Sequence, residues 1–280
     1  MTGQAQRVFE LQRLEKYLVE SSQPRQPKIF AFTSGKGGTG KTFLSVNIAF
    51  SLSLIGKKVL LVDFDCNLSN AHILVNVIPA KTLSLYFLNQ NLLHDLITEV
   101  EPNLSFIFGD SGMKDFPKLS DSSIANFFRQ LRNLEHAYDF IFLDTASGTN
   151  KETLEILSHS DQSIVITSPE PTAVMDAYVV LKLLDGIGYT GGKNIVVNKS
   201  EDETLADVTF SNLKTAVDHF LKIDINFLGF VRNDAAVSRS IMAQTLLLKQ
   251  TSESPIAFQI NELAGNLIKY VQLANIQQAL

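Results

Sequence analysis

The stretch Ser34-Gly35-Lys36-Gly37-Gly38-Thr39-Gly40-Lys41-Thr42 leaves this chain few ways to fold. It reads Gly, four residues, Gly, Lys and then a hydroxyl residue, which is the phosphate-loop pattern. Its flanks set the context. Ile29-Phe30-Ala31-Phe32 is a short apolar run, as expected of a buried parallel strand. Phe43 to Leu54 is apolar at most positions and holds no Pro or Gly, as a buried helix would be. A strand that passes through a glycine turn into a helix N-terminus makes an anion site. Backbone N–H groups converge there, and the helix dipole favours negative charge. The glycines let the backbone approach a polyphosphate, Lys41 is placed to reach the β and γ phosphates, and the Thr42 hydroxyl is placed to hold Mg²⁺. The alternative is a glycine turn that binds nothing; the matching flanks speak against it.

Two further apolar runs end in acids. Val59 to Val62 leads into Asp63-Phe64-Asp65, and Phe140 to Leu143 leads into Asp144. In an open parallel sheet, ligands sit at the carboxyl edge of the strands. A carboxylate at Asp63 or Asp65 can orient a water or help fix Mg²⁺, and Asp144 follows the Walker B pattern, in which the acid holds the metal's water shell. Taken alone, Asp144 is also compatible with a strand-end acid at a helix start. Leu104–Phe108, Asp161–Thr167, Asn194–Lys199 and Phe227–Val231 bring the strand candidates to seven. Helices are expected at 122–136, capped by Asp121, at 205–221, at 235–242 and from Ser254-Pro255 onward. Strands and helices alternate, so the expected fold is α/β: a doubly wound, mainly parallel sheet with helices on both faces.

Composition bounds the function. Hydrophobic residues make up 45% of the chain, enough for one large core. The single cysteine, Cys66, precludes an internal disulfide or a Cys-based cluster within one chain and fits a reducing cytosol. With a formal charge of −5, broad DNA binding is disfavoured. No run resembles a signal peptide or is long enough to span a bilayer. Residues 1–27 separate from the rest: Val8, Leu11, Leu14 and Leu18 recur at helical spacing, and a Pro-flanked linker follows. This helix either docks on its own domain or serves a partner groove. Residues 28–280 form the expected main domain, ending in a helix.

Lys36 is a second lysine inside the loop. Lys36-Gly37-Gly38-Thr39-Gly40-Lys41-Thr42 resembles the deviant Walker A of the MinD/ParA family of P-loop ATPases. In that family the early lysine reaches across an ATP-bound dimer to the partner's phosphates; without the resemblance, Lys36 reads as a solvated loop lysine. The resemblance implies ATP and Mg²⁺ as cofactors and a homodimer when ATP is bound. It implies nucleotide contacts from Gly35, Lys36, Gly37, Gly38, Thr39, Gly40, Lys41, Thr42 and Phe43, and metal contacts from Thr42, Asp63 and Asp144. Lys36, Lys41 and Asp65 take the catalytic roles, Asp65 by positioning the attacking water. Asn198 takes the family's adenine contact. Arg232 stands where relatives usually have Pro, and its planar guanidinium either stacks on the base or faces solvent. Asn67 and Ala146 also depart from the family pattern; Asn67 suits a positive φ, and Cys66 is expected to pack under the sheet.

Thr167–Ala173, with Asp176-Ala177-Tyr178 after it, resembles the flagellar-number (FlhG) subgroup of that family. The implied function is an ATP-gated dimerisation switch in flagellar placement. The implied partners are an SRP-type GTPase (FlhF-like), engaged through the N-terminal helix, and a flagellar or membrane partner. Gln4-Ala5 matches that subgroup's leading motif, whereas Gly3 occupies its acidic position. Relatives often end in a membrane-surface helix. Here Leu263, Leu267, Tyr270, Val271 and Ala274 form a candidate face, but few basic residues flank it, so a helix packed on the sheet is the favoured reading. The expected location is the cytoplasm, with a peripheral place on the inner membrane face left open. Two other functions fit the same loop: a nucleotide-binding scaffold with little turnover, and a ParA-type partition ATPase that binds DNA.

Overall fold

The computed structural model describes residues 26–65, 69–111, 117, 119–134 and 137–278, with side chains as far as 271. The expected helix in the first 25 residues, and the expectations for Cys66 and Asn67, lie outside these residues. Eight strands form one sheet: β1 (Lys28–Thr33), β2 (Val59–Phe64), β3 (Thr98–Glu101), β4 (Leu104–Ile107), β5 (Phe140–Thr145), β6 (Gln162–Thr167), β7 (Gly192–Ser200) and β8 (Asn226–Arg232). Their order is β3-β4-β2-β5-β1-β6-β7-β8, and every pairing is parallel except β3 with β4. The sequence reading missed β3. Its run Thr-Glu-Val-Glu is short, charged and only half-buried, which suits a sheet edge but gives no apolar signal.

The helices are α1 (Lys41–Leu54), α2 (Ala71–Leu74), α3 (Leu83–Phe87), α4 (Asp121–Arg132), α5 (Lys151–Ser158), α6 (Pro171–Gly186), α7 (Glu203–Phe220), α8 (Ala235–Met242), α9 (Leu247–Gln250) and α10 (Pro255–Gln278). Alternate residues of each central strand serve opposite faces, as a pleat requires. Phe30, Phe32, Leu61 and Phe142 pack with α1, α9 and α10 on one side. Ile29, Ala31, Leu60 and Leu143 pack with α4, α6 and α7 on the other. Phe142 lies edge-on to Phe30, with ring centroids 5.7 Å apart. Such continuous burial explains why these strands read as unbroken apolar runs.

Local chemistry places the helix ends. The N-cap of α4 is Ser120, not Asp121: its hydroxyl accepts from the Ser123 N–H at 3.2 Å, while Asp121 is already in the first turn. Pro171 opens α6, where a missing N–H costs nothing. The final helix packs on α1 and β8, with Leu263 and Leu267 buried and Tyr270 and Val271 partly so. Gly229 of β8 allows this approach. A β-carbon there would sit 2.9 Å from the Leu263 side chain.

Candidate functional site

Strand order reverses around β1, whose neighbours β5 and β6 both come late in the chain. This is the switch point at which ligands bind in such sheets. The loop from Ser34 to Gly40 leaves β1 there and enters α1. Gly40 is the N-cap of α1 at φ 91°, and Gly38 lies at φ 79°; both are left-handed values that a side chain resists. Gly35 is needed for a different reason. A β-carbon on it would lie 2.5 Å from Asp176 of α6, so the loop packs directly on that helix. No acidic residue occupies the first turn of α1, which leaves its N-terminus open to an anion.

The acids converge as expected. Asp63 and Asp144 are register partners on β2 and β5, and both are fully buried. The Lys41 ammonium lies 2.6 Å from Asp144 Oδ1, whereas Asp144 Oδ2 is buried with no hydrogen-bond partner. Asp63 accepts bonds from the Ser69 hydroxyl at 2.6 Å and the Asp65 N–H at 3.0 Å. Burial, followed by repulsion from Asp144, pushes the Asp63 carboxyl up to about 7; the Ser69 hydroxyl, the Asp65 N–H and Lys41 oppose this. Two adjacent buried carboxylates, one with an orphaned oxygen, and a threonine hydroxyl on the next helix make a hard-oxygen donor set. That set fits Mg²⁺, which would also relieve the repulsion.

The remaining expected residues divide. Asn198 is buried, and its amide donates to the Thr39 carbonyl at 2.6 Å, which brings β7 against the loop. Phe43 turns its ring into the core, so only its backbone N–H is available to a ligand. Arg232 is exposed; its guanidinium donates to the Glu201 carbonyl at 3.4 Å. Lys36 leaves its own loop: its ammonium lies 2.5 Å from the Glu170 carboxylate and 3.4 Å from the Thr172 hydroxyl. The Lys36 hydrogen bond and charge hold the Glu170 carboxyl below its ordinary value.

Sequence reading did not find Ser69, Glu170, Thr172 or Lys199 as site residues. Glu170 and Thr172 were visible only as part of a matching stretch, and no local pattern links them to Lys36 more than 130 positions away. It also missed Asp110, which accepts from Thr82, Ser84 N–H and the Ser84 hydroxyl and so anchors the start of α3 beside the site.

A glycine cradle on a helix N-terminus, with Lys41 at its end beside two strand-end acids, defines a P-loop nucleotide-binding protein. The AAA domain family matches residues 27–197. The flagellum site-determining protein YlxH of Helicobacter pylori is 27% identical over 283 residues, covering 99% of this chain and 94% of that protein. The septum site-determining protein MinD of Neisseria meningitidis serogroup B is 33% identical over 261 residues, covering 87% and 89%. Among solved structures, the MinD of Pyrococcus horikoshii complexed with Mg-ADP superposes with a TM-score of 0.75 at 22% identity, covering 88% of this chain and 98% of that one. The chain belongs to the MinD/ParA family of ATPases.

Proposed function

We propose that this protein is an ATP-gated dimerisation switch that governs flagellar placement or number. Lys41 and the loop N–H groups would bind the β and γ phosphates, and Asn198 the adenine. Thr42, Asp63 and Asp144 would hold Mg²⁺, which when bound supplies charge neutralisation at the phosphates. Asp65 would orient the attacking water, and Lys36 would complete the partner's site.

The observation that carries this reading is the state of Lys36. In the single chain its ammonium is engaged with Glu170 and Thr172 instead of with its own loop. An exposed pair of this kind is weak, so a polyphosphate in a facing subunit can compete for the lysine. Loss of the γ phosphate would remove that competitor and free the dimer. The flagellar role is supported by the match to a flagellum site-determining protein along nearly the whole chain.

The GTPase partner expected through residues 1–27 rests on the resemblance of that segment; the face of the last helix considered for a membrane, from Leu263 to Val271, packs instead on α1 and β8. Among the described residues no helix is long and apolar enough to cross a membrane. Phosphate release from Mg-ATP tests the catalytic assignment. Asp65→Ala is expected to reduce the rate at least about tenfold while Mg-ADP still binds. Full turnover in that variant would refute the role given to Asp65. Negligible turnover by the wild type, even with vesicles and the GTPase present, would favour the scaffold.

A further inference from the structure

Lys199, next to last in β7, sits at φ 58°, the left-handed region. The pairing of β7 with β8 slips there: Asn198 faces Val231, Ser200 faces Arg232, and Lys199 is the extra residue. A β-carbon makes that conformation unfavourable, and Gly or Asn is its usual occupant. The geometry shows what it achieves. In a regular strand, side chains 198 and 199 would point to opposite faces. The bulge re-aims the second one, so both reach the phosphate loop. The Lys199 ammonium donates to the Gly38 carbonyl at 2.8 Å, and the Asn198 amide to the Thr39 carbonyl at 2.6 Å.

Two successive carbonyls of the loop are thereby claimed by two successive side chains. A peptide unit is planar, with its C=O and N–H on opposite sides. Tying the Gly38 carbonyl toward β7 turns the Thr39 N–H away from β7, and tying the Thr39 carbonyl does the same for the Gly40 N–H. Gly38 and Gly40 are where these planes would otherwise rotate most easily. The contact is close: a β-carbon on Gly40 would meet the Asn198 amide at 2.2 Å.

We propose that Lys199 is a positioning residue of the nucleotide site, which together with Asn198 fixes the loop's peptide planes so that their N–H groups face the polyphosphate. This rests on the nucleotide reading above and assigns Lys199 no contact with phosphate; it acts through Gly38. The ammonium makes a charge-assisted bond at a solvent-exposed position, and the closeness of its geometry, 2.8 Å, holds the loop carbonyl.

The test compares Lys199→Gly, Lys199→Met and Lys199→Arg in the full chain, by calorimetric titration with Mg-ADP and by the thermal midpoint without nucleotide. Glycine deletes the ammonium but relaxes the backbone, so its midpoint is expected to equal or exceed that of the wild type. Affinity is expected to fall about tenfold in both the Gly and Met variants, and Arg to restore most of it. Unchanged affinity in the Gly and Met variants overturns the assignment. So does a loss confined to the Gly variant, because the effect would then lie in the backbone and not in the ammonium. Absence of Mg-ADP binding by the wild type would refute the nucleotide reading itself, and Lys41→Ala is the control that should lose binding whatever Lys199 does.

Discussion

Lys41, the proposed phosphate ligand, also has a structural task. It is the cation beside two fully buried carboxylates, 2.6 Å from Asp144. Removing one partner of a buried pair leaves an uncompensated charge, which costs about 3–5 kcal/mol. Lys41→Met is therefore expected to lower the urea-unfolding free energy by about that much, and adding Asp144→Asn to recover more than half of it. A Lys41→Met protein as stable as the wild type would contradict the geometry. Glu170 behaves oppositely. Its pair with Lys36 is exposed, so Glu170→Gln is expected to leave stability unchanged but to lower the ATP concentration at which dimers form, read by light scattering. A titration tests a group away from the site. Tyr189 is buried, with its hydroxyl 3.2 Å from that of Ser160, and burial pushes its pKa up to about 12. The folded state then keeps a proton that the unfolded chain loses above about pH 10. Stability falls as pH rises through this window, by about 2–3 kcal/mol at pH 12. Tyr189→Phe should flatten that part of the profile, as measured by denaturant unfolding at pH 9 and 12.

Elements were legible where the chain presents an apolar run and obscure where it does not. Six of the seven strands read from the sequence are buried on both faces over most of their length and so appear as apolar runs, whereas the edge strand β8 buries only Leu228 and Val231 and was legible from its apolar composition alone. β3 is an edge strand whose charged residues give no such signal, and its pairing with β4 is known only from the fold. The loop, Asp63 and Asp144 were legible because a phosphate cradle needs those residue types in chain order on strand ends. Glu170 and Lys199 were not, because their roles follow from where β6 and β7 end beside the loop. The last helix was legible as amphipathic, and the structure gives its face a place on α1 and β8. Gly229→Ala tests that packing. The added methyl would meet Leu263, at a φ of 143° that a side chain resists, and is expected to cost about 1–3 kcal/mol. An unchanged thermal midpoint would mean that α10 does not press on β8.

At the scale of the whole molecule, residues from three parts of the sheet converge on one loop. β2 and β5 bring the acids, β6 leads to the residues that hold Lys36, and β7 brings Asn198 and Lys199. Lys36 is the group that would carry the nucleotide state outward, because it has an intramolecular partner in the single chain and, by the reading proposed, an intermolecular one in the dimer. The most direct measurement is the solution mass, by light scattering with Mg²⁺ and either ADP or ATP, of the wild type, Lys36→Ala and Asp65→Ala. The account predicts a monomer in ADP, a dimer in ATP, a longer-lived dimer for Asp65→Ala and no dimer for Lys36→Ala. A single mass in every condition, or ATP dimers that form without Lys36, would contradict it.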